Sequence, residues 1–132
     1  MDLLPTAANL AKQPLPAGRV LDGRDITPLL LGTVGAVSPY QAFYYFHLDQ
    51  LQAVRAGPWK LYLGGAPQST RGAATLQSGS ATLYHLHDDP AEENDRIHEE
   101  PEVVAELMQH AARIRQELGE GELVGPGCRL LG

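Results

Sequence analysis

Cysteine is nearly missing from this sequence. Cys128 stands alone among 132 residues, so no internal disulfide can form. A cysteine-built zinc site, which needs two to four thiolates, is excluded as well. Clustered positive charge is also lacking: Lys and Arg number 10 against 16 Asp and Glu, a formal net charge of -6. Nucleic acid is therefore not expected as a partner, because replacing phosphate counterions needs grouped cations. Long apolar runs are absent too. Stretches such as Leu29 to Leu31 fall far short of a membrane span. Met1 to Pro16 shows no basic segment followed by an apolar core, so no signal peptide is expected and the chain as it stands reads as cytoplasmic.

What is present suits a soluble globular protein. The hydrophobic fraction is 43% and the charged fraction 20%, outside the range of disordered chains. The length accommodates one compact domain of ordinary size.

The pattern changes along the chain. Asp2 to Ala11 reads as a short helix, with Asp2 as N-cap and Pro5 in the first turn. Pro14, Pro16 and Gly18 interrupt it. A second helical turn is expected at Ile26 to Leu31, capped by Asp25 or Thr27 and ended by Gly32. From Tyr40 the signal is β. Gln41 to Leu48 carries Phe43, Tyr44, Tyr45 and Phe46 in a row and reads as a strand covered on both faces. Leu51 to Arg55 follows after an Asp49-Gln50 turn, and Trp59 to Leu63 after Gly57-Pro58. Gly64 to Ser80 reads as a long polar loop, and Thr82 to His87 as a fourth strand.

A helix from Pro101 to Leu118 is the clearest element. Proline opens it and Gly119 follows its end. Val104, Leu107, Met108, Ala111, Ile114 and Leu118 form its apolar face. The tail from Glu120 shows no periodicity. The fold class expected is α+β: a four-stranded antiparallel sheet with the C-terminal helix across one face, preceded by short N-terminal helical segments.

Three stretches carry a resemblance to a known family. One is Asp2-Leu3-Leu4-Pro5-Thr6 with Leu21-Asp22-Gly23-Arg24-Asp25-Ile26-Thr27-Pro28-Leu29-Leu30; the second is Leu51-Gln52-Ala53-Val54-Arg55-Ala56-Gly57-Pro58-Trp59-Lys60-Leu61. The third is Leu83-Tyr84-His85-Leu86 with Asp89-Pro90-Ala91-Glu92-Glu93-Asn94. In this order they resemble the C-terminal subdomain of type I sulfatases, arylsulfatase-like sulfuric ester hydrolases of the alkaline-phosphatase superfamily. The resemblance implies two parts: 1–36 as the edge of a catalytic domain that this chain lacks, and 37–132 as the C-terminal subdomain. It also implies, for the intact parent enzyme only, a divalent metal, taken as calcium, and a formylglycine made within a Cys/Ser-x-Pro-x-Arg motif. Cys128 is followed by Arg129-Leu130-Leu131, and Ser38, Ser69, Ser78 and Ser80 begin no such motif. No catalytic residue is therefore expected here, and the chain alone should be inactive.

Other candidates are weaker. His47, Arg55 and Lys60 could border a substrate cleft, as strand ends and loops of this subdomain do in the family, and Arg55 and Lys60 could hold an anion such as sulfate. For each, a solvated or locally bonded side chain is the favoured reading. The 64–80 loop could shape the cleft rim or be a surface insertion. His85 and His87, two apart on the expected strand, would point the same way and could ligate a metal with Asp88 or Asp89. The competing reading has His85 on a solvated strand face and the aspartates shaping the turn before Pro90. A small stand-alone ligand- or metal-binding module built on His85 and His87 is the alternative function.

Leu3, Leu4, Leu10, Leu29, Leu30 and Leu31 have no evident core within the N-terminal segment. Each exposed leucine forgoes roughly 1.5–3 kcal/mol of burial. The missing sulfatase catalytic domain, or a second copy of the chain exchanging its N-terminal segment, is the expected partner.

Overall fold

The protein is described by a computed structural model, covering residues 1–18, 20–64, 80–121 and 123–128. The 64–80 loop read from the sequence lies almost wholly outside these residues. The chain divides into two compact units, Met1–Gln41 and Ala42–Gly132.

In the first unit, helix α1 spans Leu3–Leu10 and the single turn α2 spans Thr27–Leu30. Asp2 precedes α1 but does not cap it with its side chain. Its carboxylate instead accepts the Arg24 amide at 2.9 Å and the Tyr40 hydroxyl. Thr6, buried on α1, accepts the Ile26 amide at 3.1 Å. Asp25 takes the Thr27 amide at 2.9 Å and Asn9 Nδ2 at 2.8 Å. Gly32 follows α2 with φ +62°, a left-handed conformation glycine adopts without strain. Polar bonds thus close this unit, while Leu3, Leu10, Leu30 and Leu31 stay exposed.

The second unit is built on strands β1 (Phe43–His47), β2 (Gln50–Ala56), β3 (Trp59–Tyr62) and β4 (Thr82–His85), an antiparallel sheet in order β1-β2-β3-β4. Tight reversals join the first three. His47 pairs with Gln50, so the first turn is Leu48-Asp49, one residue earlier than the sequence suggested, with Leu48 left-handed. A register irregularity between Tyr45 and Phe46 lets Gln52 bulge out of the ladder.

Helix α3 (Pro101–Leu118) lies mainly on β2 and on β3. The core follows one cross-strand row: Tyr44 faces Val54, Val54 faces Leu61, and Leu61 faces Leu83. Val54, Leu61 and Leu83 are completely shielded. Leu107 and Ala111 of α3 close over this row, flanked by Val103, Val104 and Ile114, whereas Met108 and Leu118 stay exposed. The apolar stripe on α3 is narrower than the sequence pattern: Leu107 and Ala111 are buried, whereas Met108 and Leu118 do not reach the core.

Two expectations are corrected. The aromatic strand is not covered on both faces: Phe43, Tyr45 and Phe46 are 46%, 41% and 37% exposed. Tyr44 alone of the four is half-buried. Strand β4 ends at His85, because the chain turns there with the Asp88 and Asp89 amides on the His85 carbonyl. After α3, Gly119–Glu120 (β5) pairs with Leu123–Val124 (β6) in a small hairpin that the sequence reading missed. A side chain at Gly119 would overlap the Leu123 carbonyl, which makes glycine necessary there.

Candidate functional site

The sheet face opposite α3 carries the chemistry. Alternation along β1, β2, β3 and β4 places Phe43, Arg55, Lys60 and Tyr84 in one row, and Tyr45, Ala53, Tyr62 and Thr82 in the next. Lys60 is the centre of this face. Its Nζ lies 2.7 Å from Glu92 Oε1 and donates to the Tyr62 hydroxyl at 2.7 Å. The Tyr62 hydroxyl in turn donates to Glu92 Oε2 at 3.0 Å. The ammonium also sits 4.5 Å from the Tyr62 ring centroid and 5.1 Å from that of Tyr45. Tyr84 meets Tyr62 edge to face at 6.1 Å.

Electrostatics follow from this cage. Burial pulls the Lys60 ammonium down, but the Glu92 carboxylate and the Tyr62 hydroxyl outweigh it, and the net shift is upward. Lys60 is therefore a fixed cation already neutralised by Glu92, and it cannot act as a base near neutral pH. An incoming sulfate would have to displace Glu92. Arg55, cross-strand to Lys60, spends its Nε on the Gly57 carbonyl at 3.3 Å.

The three rim candidates do not converge. Arg55 and Lys60 are neighbours, but His47 lies at the other end of β1, four residues beyond Phe43, the partner of Arg55. At about 3.3 Å per residue that is roughly 13 Å away. Glu92, Tyr45 and Tyr62 are the neighbours of Lys60 that sequence reasoning missed. The tyrosines were legible in principle, since Lys60 and Tyr62 are two apart on one strand. Glu92 was not: it reaches Lys60 because a polar connection folds back with Glu92 itself left-handed, at φ +58°.

His85 packs against Trp59, ring centroids 4.5 Å apart. Its Nδ1 lies 2.8 Å from Asp88 Oδ2, within ion-pair distance but without hydrogen-bond alignment. His87 is past the end of β4 and exposed, its ring centroid 6.5 Å from that of His85. The strand alternation that would have aimed both at one ion does not reach His87. Asp89 is buried and turned inward, accepting the Asn94 amide at 2.8 Å and the Glu93 amide at 3.1 Å. Those donors hold its carboxyl below the usual 3.8.

Among the described residues no group of three or more His, Cys, Asp or Glu is placed to hold a metal ion. Cys128 is exposed, outside any Cys-x-Pro-x-Arg motif. The described residues therefore offer no grouped ligands for a divalent metal, and Cys128 does not stand in the motif in which a formylglycine is made.

The chain is similar to known sulfatases in sequence and in structure. No family model matches the chain. An arylsulfatase from Hemicentrotus pulcherrimus is 31% identical over 115 residues, covering 70% of this chain and 20% of that protein. Human arylsulfatase A is 37% identical over 107 residues, again 70% of this chain and 20% of the relative. Human steryl-sulfatase is 40% identical over 68 residues, 47% of this chain and 12% of the relative. The chain is homologous to part of a sulfatase. A solved sulfatase structure, described under the metabolism of multiple glycosaminoglycans by Bacteroides thetaiotaomicron, superposes with a TM-score of 0.65 at 27% identity, covering 86% of this chain and 24% of that one. The chain thus spans about a fifth of the length of the curated sulfatases it matches. Among the described residues no helix is long and apolar enough to cross a membrane.

Proposed function

We propose that this chain serves a sulfuric ester hydrolase as its C-terminal subdomain and is catalytically silent alone. One observation carries the reading. The sulfatase-like stretches supply the core: Val54 and Leu61 from the second, Leu83 from the third, with Asp89 ordering the connection into α3. In this reading a module that supplies this scaffold and, among the described residues, no grouped metal ligands works by support rather than by turnover.

In this reading residues 1–36 are the edge of the larger catalytic domain, and their exposed leucines belong against that domain. His47, Arg55 and Lys60 are positioned at most as rim residues, with Lys60 held back by Glu92. The metal and formylglycine belong to the parent enzyme. The metal-binding module has less support, since His87 lies outside β4 and among the described residues no third ligand joins the two histidines.

The test is an aryl sulfate assay on the purified chain, with and without calcium. No turnover above background is expected. Turnover that copurifies with the chain and is lost on replacing a single residue of it overturns the proposal. Stoichiometric zinc uptake abolished by both His85→Ala and His87→Ala would favour the binding module instead.

A further inference from the structure

Beyond α3 the chain doubles back and reaches the turn between β1 and β2. Gly119 makes the return possible, at φ +84°, where a side chain would overlap the Leu123 carbonyl. The next residue, Glu120, touches both layers of the unit. Its Oε1 accepts the Leu51 amide, near the start of β2, at 3.1 Å. Its Oε2 lies 2.6 Å from Arg115 Nε of α3, an ion pair without hydrogen-bond alignment, and Arg115 Nη2 donates to Oε1 at 3.4 Å. The Gly121 amide adds one bond to the Asp49 carbonyl at 3.3 Å. Further on, the Gly125 and Gly127 amides donate to the Leu118 and Glu117 carbonyls of α3 at 3.0 and 2.8 Å. Little apolar burial backs these polar bonds, since Leu123 and Val124 are 77% and 68% exposed.

We propose that residues 119–127 form a releasable strap, hinged at Gly119 and clasped by Glu120, that fastens the β1–β2 turn to the end of α3. Its holds are unequal. On the helix side stand Arg115 and two backbone bonds; on the sheet side, among the described residues, stand the Glu120 carboxylate and the Gly121 bond. The strap therefore lets go of the sheet before it lets go of the helix. Polar bonds with few apolar contacts behind them open at a lower free energy than the whole domain. The core has its own closure: Val54, Leu61 and Leu83 pack with Leu107 and Ala111. Release thus frees the Asp49 carbonyl and the Leu51 amide while that row stays shut. The device lies wholly within the second unit and does not depend on the sulfatase reading.

Native-state hydrogen exchange of the full chain in low urea tests it. In the unmodified protein the Leu51 and Gly121 amides should exchange together, at least about tenfold faster than the Leu107 and Ala111 amides in the middle of α3 and with almost no urea dependence. Glu120→Ala should speed exchange at Leu51 and Gly121 by a further factor of about ten and leave Leu107 and Ala111 within about twofold. If Leu51 and Gly121 open only together with Leu107 and Ala111 in the unmodified chain, there is no separate release and the proposal is overturned. An alanine variant whose Leu51 and Gly121 amides stay as protected as before overturns it too, because Glu120 then clasps nothing. So does one that exposes all four amides equally, because Glu120 then holds the core and not a strap.

Discussion

The units Met1–Gln41 and Ala42–Gly132 reach order by opposite means. The first holds its turns with carboxylates: Asp2 gathers Arg24 and Tyr40, and Asp25 gathers Thr27 and Asn9. Its leucines face outward. The second shields an apolar row from Tyr44 to Leu83 beneath α3 and places its polar cluster on the other face. Local hydrogen bonds can fix a chain's path without burying much apolar surface, but each contributes only about 1 kcal/mol net. The second unit therefore carries most of the chain's resistance to unfolding, while the first carries surface.

The contrast breaks most readily at Leu107. Leu107→Ala empties a fully buried position over the sheet and should cost about 2–5 kcal/mol, read as a lower denaturation midpoint of the sheet. A variant that melts like the parent chain would mean that α3 does not close the core. A smaller effect is expected at the caged cation. Lys60→Met strands Glu92 and should cost about 1–2 kcal/mol, at the low end for a charged pair because both side chains, 14% and 24% exposed, keep some water. Combining it with Glu92→Leu should restore most of that loss, a coupling measurable by a double-mutant cycle.

The mildest test sharpens the first unit. The Tyr40 hydroxyl and Arg24 amide hold the Asp2 carboxyl below its usual 3.8, and Thr27 does the same for Asp25. A depressed carboxyl stabilises the fold above its ordinary value, and that contribution disappears as pH falls through the lowered one. Amide protection of Arg24 and Thr27 should therefore decline below pH 3.8, and Asp2→Asn should reproduce the loss at Arg24 at neutral pH. Retained protection in that variant would show that Asp2 does not close the unit.

Sequence legibility tracked how much of each signal is local. Helix α3 was readable to the residue because proline begins it and Gly119, at φ +84°, ends it. The four strands were readable from turn residues and β-branched or aromatic content. The cover over them was not, since an aromatic run reports that burial is wanted and not whether a partner is there. His87 fell outside β4 because Asp88-Asp89-Pro90 turns the chain earlier than alternation alone implies. The hairpin of β5 and β6 is two residues a side, too short to have a period. For the candidate site, Arg55 and Lys60 were legible as neighbours, whereas the Glu92 that neutralises Lys60 arrives through a loop whose path no pattern encodes.

That loop has a consequence for proteolysis. Between β4 and α3 the chain is so acidic and polar that it looks like an exposed tether, the kind of segment a glutamate-specific protease would cut first. Its backbone is nonetheless tied down at Glu93, Asn94, Arg96 and Ile97, each amide donating to Asp89, Leu83 or Asp95. A protease must draw several residues into an extended conformation before it can cleave. Here that means pulling Asp95 and Arg96 off the edge of β4, so cleavage at Glu92 or Glu93 should wait for the sheet itself to open.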